Sequence, residues 1–219
     1  MAIVENFQKL KGEIPDSVKV IVVTKTVNAD EILLIYSTGH KKFGENKVQE
    51  IITKRSLLPA DIEWHFIGHL QSNKVKYIAS FIHLIQSIDS LRLLKEVNKE
   101  AIRNNRVLQC LLQFHIASEE TKFGLNLFEG RAILDSEEYK AMRNIRITGI
   151  MGMATYTNNE LVIRSEFKTL KNYFEILKND YFSLSDEFCE ISMGMSSDYH
   201  LAIEEGTTMI RIGSAIFRP

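Results

Sequence analysis

Residues 18–39 read "VKVIVVTKTVNADEILLIYSTG", and two periodicities meet inside them. "VKVIVVT" (18–24) is an almost unbroken run of β-branched residues, the composition of a strand covered on both faces. Turn chemistry follows at once, and then an amphipathic segment predicts a helix that opens at Asn28 or Asp30 and stops at Gly39. Those are the residue types that cap a helix at its start and its end. A doubly covered strand followed by a helix is the first part of a βαβ unit, in which the next strand lies parallel to the first.

The same alternation recurs along the chain. Further strands are predicted at "KFGEN" (42–46), "IEWHFIG" (62–68), "FIHLIQSI" (81–88), "VLQCLLQFHI" (107–116), "IRITGIMGM" (145–153), "EFCEISM" (187–193) and "MIRIGSAI" (209–216). Helical patterns lie between them. "SLRLLKEVNKEAIRNN" opens after Asp89 and Ser90, and "ELVIRSEFKTLKNYFEILKN" is the longest. Eight strands, each followed by a helix except at the end, predict a (β/α)8 barrel of the α/β class. A doubly wound open sheet is the alternative that periodicity leaves standing. The 219 residues lie near the short end of the barrel's range and favour closure. Prolines occur only at 15, 59 and 219, and no linker or charge block interrupts the chain, so residues 1–219 read as one domain.

Composition narrows the partners. Hydrophobic residues make up 45% and charged residues 25%, the mix of an ordinary soluble domain. The 27 basic and 28 acidic residues nearly cancel, giving no electrostatic reason to expect nucleic acid or an anionic membrane. Cys110 and Cys189 sit in apolar runs and read as small buried hydrophobes in a reducing compartment. The start, "MAIVENFQKLKGEIPD", does not have the pattern of a signal peptide, and no apolar run approaches membrane-spanning length. The expectation is a cytoplasmic protein, with a monomer as the default because no exposed apolar stripe stands out.

In such a barrel, function gathers at the C-terminal ends of the strands. Lys25 stands there after the first strand. Taken alone it reads as a lysine leaving the core; made neutral, the same amine forms a Schiff base with an aldehyde. After strand seven comes "SMGMSSD" (192–198), with a helix starting near Asp198; strand eight ends in "RIGSAIF" (211–217). Amides at the Gly213 turn, a helix N-terminus and nearby hydroxyls, Ser214 among them, make an anion cradle. A lysine opposite a phosphate cradle fits a ligand carrying both an aldehyde and a phosphate, and pyridoxal 5'-phosphate is the common cofactor of that description. Arg211, two residues before Gly213, points to the same mouth if strand alternation holds. An arginine facing a pyridine nitrogen can only donate, so it keeps that nitrogen unprotonated; a rim salt bridge is the plain alternative for it.

The stretches "VTKT", "FGENKVQE" (43–50), "WHFIGHLQSNK" (64–74), "QSIDS" (86–90), "EETKFGL" (119–125), "ITGIMGM" (147–153) and "SMGMSSDYHLAIEEGTTMIRIGSAIF" (192–217) form one pattern. In this pattern the chain resembles the YggS/PROSC family of pyridoxal phosphate homeostasis proteins over nearly its whole length. The resemblance implies a single-domain barrel of the alanine-racemase type. It implies that Lys25 holds pyridoxal 5'-phosphate as a Schiff base. Ser196, Gly213 and Ser214, helped by Ser197, would then hold the phosphate, with Arg211 facing the pyridine nitrogen and Asn46 and His65 lining the ring. An asparagine at a strand end is also a common turn residue, and a lone histidine a common packing residue.

The chain departs from the family's pattern at two positions. Gln86 replaces a frequent histidine, so a ring contact there would be lost, and Arg218 replaces the glycine after "AIF", which bears on how the C-terminus covers the mouth. Lys122 in "EETKFGL" reads as a surface lysine. His65 and His69 stand four apart, but "HFIGH" lacks the glutamate of a zinc-protease helix. A pyridoxal racemase needs a second acid–base group and a closed pocket, and eight βα units occupy all 219 residues. The first reading is therefore a non-catalytic carrier that buffers the cofactor or delivers it to pyridoxal-dependent apo-enzymes. An amino-acid racemase of low activity and a Schiff-base aldolase acting on a sugar phosphate are the alternatives.

Overall fold

The structure is a computed structural model, and it describes residues 2–119 and 123–218. Eight parallel strands close into a barrel in sequence order: β1 (Lys19–Val23), β2 (Lys42–Glu45), β3 (Glu63–Phe66), β4 (Leu84–Ile88), β5 (Leu108–Phe114), β6 (Ile145–Gly152), β7 (Glu190–Ser192) and β8 (Met209–Ile212). Each predicted strand is present with its ends trimmed. The pairing of β1 with β8, from Lys19 opposite Met209 to Val22 opposite Ile212, closes the barrel and excludes the open sheet. Closure leaves no sheet edge to pair with another chain.

Helices cover the outside. They are α1 (Ala2–Glu13), α2 (Ala29–Tyr36), α3 (Val48–Leu57), α4 (Leu91–Arg103), α5 (Leu127–Asp135), α6 (Glu137–Ala141), α7 (Glu160–Tyr181), α8 (Tyr199–Glu204) and α9 (Ser214–Phe217). Asn28, not Asp30, caps α2 in a reciprocal capping box: the Glu31 amide donates to Asn28 Oδ1 at 2.9 Å and the Asn28 amide to Glu31 Oε2 at 3.2 Å. Ser90 caps α4. Only a short 3-10 helix, Ser72–Tyr77, follows β3. The stretch 209–216 does not stay extended, because the chain turns at Gly213 into α9. The first helix, α1, was not foreseen; the Asn6 side chain donates to the Ile216 carbonyl at 3.1 Å and ties α1 to α9.

The core has two layers. The larger lies between strands and helices, and a smaller one of Ile21, Leu84, Leu111, Met151 and Met209 fills the barrel axis. This inner plug makes the barrel a packed core, not a pore. Cys110 is buried as expected, whereas Cys189 is exposed. It precedes β7, and the ring of Phe188 takes the buried position beside it. No helix among the described residues is long and apolar enough to cross a membrane.

Candidate functional site

Lys25 stands two residues beyond β1, and its position is set by its neighbours. Thr24 is buried; its amide donates to the Gly44 carbonyl at 2.9 Å and its hydroxyl to Glu45 Oε1 at 2.6 Å. Lys54 of α3 reaches under the loop. Its ammonium donates to the Thr24 carbonyl at 2.7 Å, pairs with Glu45, and lies 3.2 Å from Glu50 Oε2. Glu50 in turn accepts the Thr26 amide at 3.1 Å, and Thr26 adopts φ 63, a left-handed conformation that a β-branched residue rarely takes. Both residues flanking Lys25 are thus pinned by the "FGENKVQE" motif and Lys54. Lys25 itself is exposed, with no hydrogen-bond partner among the described residues. The bracing on both sides fixes where the loop presents the Lys25 side chain.

Lys25 shares a cleft of about 100 Å³ with Val23, Gly213, Ser214, Phe217 and Arg218. Gly213 packs onto β1: a Cβ there would lie 3.1 Å from the Val23 carbonyl oxygen and 3.3 Å from its Cβ. Ser196 Oγ accepts the Gly213 amide at 3.3 Å and the Ala215 amide at 3.4 Å, so two amides at the start of α9 converge on one oxygen. Ser214 is exposed at the rim. Arg218 lies against the same cleft, its guanidinium 3.5 Å from Thr26 Oγ1. Ser197 is set apart, lining a neighbouring cleft of about 300 Å³ with Thr155, Tyr156 and His200.

Arg211 is buried inside the barrel near the ends of β6 and β7. It donates to Ser192 Oγ at 2.6 Å and to the Gly152 carbonyl at 3.0 Å. Burial pushes the guanidinium down to about 10, opposed by Asp198, so it is cationic at neutral pH and can only donate. Donation by Arg211 orders what lies beneath it. Ser192 donates onward to Gln86 Oε1 at 2.7 Å, and the Gln86 amide nitrogen lies 3.0 Å from His65 Nδ1. Gln86 is therefore a fully buried link between β3, β4 and β7, a role its place in the sequence did not suggest. His65 is the third residue of four in β3, not its end, and its ring faces His83 and Glu63 at the N-terminal side. Asn46 does stand at a strand end, after β2. Its Oδ1 is buried without a partner, and Gly68 packs on its backbone so closely that a Cβ would fall 2.3 Å from the Asn46 carbonyl oxygen. Lys122 lies outside the described residues.

The alanine racemase N-terminal domain family matches residues 1–219. The pyridoxal phosphate homeostasis protein of Aquifex aeolicus is 36% identical over 98% of this chain and 94% of its own. The chain belongs to this family. The Synechocystis member is 34% identical over 96% of this chain and 95% of its own. Among solved structures, family member PipY of Synechococcus elongatus superposes with a TM-score of 0.91 without PLP and 0.88 with PLP bound, at 32% identity over 98% of this chain and 99% of PipY. Alanine racemase from Bartonella henselae shares the fold at a TM-score of 0.74 and 14% identity, and this chain spans 58% of it. The family's "FGENKVQE" stretch has a structural meaning here: Glu45 and Glu50 brace the loop that carries Lys25.

Proposed function

We propose that this chain, as one barrel domain, binds pyridoxal 5'-phosphate at the C-terminal mouth of the barrel and serves as a non-catalytic carrier in its homeostasis. The observation that carries this reading is the single cleft shared by Lys25, Gly213 and Ser214. The donor set suits the cofactor. An accessible amine lies opposite two amides and a hydroxyl gathered around Ser196, where a larger residue than glycine at 213 would crowd Val23. Asn46 offers a buried acceptor, and Arg211 a fixed cation.

When bound, the cofactor would supply an aldehyde open to reversible capture by an amine. Lys25 would be that amine, and its exposure suits exchange with incoming amines better than it suits a sealed reaction. Gly213, Ser214 and Ser196 would hold the phosphate. Arg211 would face the ring nitrogen as a donor that keeps its own proton at neutral pH, favouring the unprotonated form of that nitrogen. A weak electron sink of this kind fits storage and delivery to apo-enzymes better than carbanion chemistry. Its likeness over 99% of PipY, solved with PLP bound, supports the same reading.

The test is an absorbance spectrum of the purified protein with the cofactor, before and after borohydride, with mapping of the reduced adduct. A visible band that is absent in Lys25→Ala, and an adduct on Lys25, are expected. An adduct elsewhere sinks the assignment of Lys25, and sustained racemisation of a free amino acid, read by chiral chromatography, sinks the carrier role.

A further inference from the structure

A second group of chemically capable side chains gathers at the N-terminal end of the barrel, away from Lys25. Glu63 opens β3, His65 follows two residues later on the same face, and His83 immediately precedes β4. One ligating atom of each lies within 4.8 Å of the other two. His65 is only 2% exposed and its Nε2 has no hydrogen-bond partner, although buried polar atoms are normally satisfied. With Nδ1 taken up by the Gln86 amide at 3.0 Å, Nε2 is the ring nitrogen left to serve as a ligand. His69 is not part of the group: it bonds Asp89 at 3.0 Å and stacks on Phe123.

We propose that Glu63, His65 and His83 form a binding site for a divalent transition metal of zinc type, with solvent in the remaining positions. Two imidazoles and one carboxylate are a zinc donor set, with bonds of about 2.0–2.2 Å. The present spacing requires each side chain to close by less than about 1 Å to reach that range. Glu63 and His83 can supply most of the movement, because their side chains are 33% and 40% exposed, and the same exposure is the entry path. His65 is the anchored ligand. A metal-bound imidazole donates its second N–H to an outer oxygen, and the Gln86 amide sits 3.0 Å from Nδ1. Turning that amide over presents Oε1 to the ring. Its nitrogen then donates to Ser192 Oγ, whose second lone pair still accepts from Arg211. The competitor is Lys42, whose ammonium lies 3.3 Å from Glu63 Oε2 and must give way to the ion.

Isothermal titration of the full chain with zinc chloride at neutral pH tests the site, with Glu63→Gln, His83→Gln and Lys42→Met in parallel. All three positions are part-exposed, so the variants keep the core, which circular dichroism verifies. One-site binding is expected, weakened at least about tenfold in Glu63→Gln and His83→Gln and tightened in Lys42→Met, where the competing cation is gone. Absence of binding, or binding unchanged by the first two substitutions, overturns the proposal.

Discussion

Gly213 shows how a single residue sets the geometry of the mouth. A side chain there meets the Val23 backbone at 3.1 Å, so Gly213→Val should push α9 away from β1 and open the gap between Lys25 and the amides on Ser196. Cofactor uptake, followed by absorbance titration, should weaken at least about tenfold, or roughly 1.4 kcal/mol, while circular dichroism is unchanged. That Lys25 and Gly213 stand just beyond β1 and β8 was legible in the sequence, because a strand end is a local feature. Gln86 was not. It read as a lost ring contact, and only the folded chain shows its amide reaching His65, 21 positions away, and Ser192, 106 positions away. Ser197, which the family resemblance put beside Ser196 at the phosphate, lines the neighbouring cleft, because consecutive residues leave a turn in different directions.

The element that matters most is the loop between β1 and α2, braced from β2 and α3. Glu45 is fully buried, and burial raises its carboxyl above the ordinary range despite its bonds to Lys54 and Thr24. Removing only the ammonium, as in Lys54→Met, leaves that acid unpaired and should destabilise the fold by about 3–5 kcal/mol, read from urea denaturation. The double variant Glu45→Gln with Lys54→Met should recover much of the loss. Glu50 behaves oppositely. Burial raises it, but the Thr26 amide and the Lys54 ammonium outweigh burial and hold it below the ordinary carboxylate range. A lowered folded value means its stabilisation is complete above the unfolded carboxylate range and disappears as pH falls through the lowered value. Urea midpoints measured across the acid range should therefore fall less steeply in Glu50→Gln than in the parent chain. The motif "FGENKVQE" was visible as a pattern, but its acids acquire a purpose only when α3 lies beside β1.

At the scale of the whole barrel, the axis is plugged by Ile21, Leu84, Leu111, Met151 and Met209, drawn from five strands. Leu111→Ala should cost about 2–5 kcal/mol in urea denaturation while the visible absorption of the bound cofactor is retained, because the plug supports the mouth without lining it. The eight βα units, their order, the exposed lysine after β1 and the glycine turn after β8 were determined by the sequence itself. Strand and helix periods are local properties, and a strand end needs no knowledge of its neighbours. Tertiary structure alone decided that β1 closes on β8, that Arg211 hangs from Ser192 and Gly152, and that Glu63, His65 and His83 converge at the far end. These contacts join residues on different strands, so they depend on register and closure, and no window of sequence contains that information.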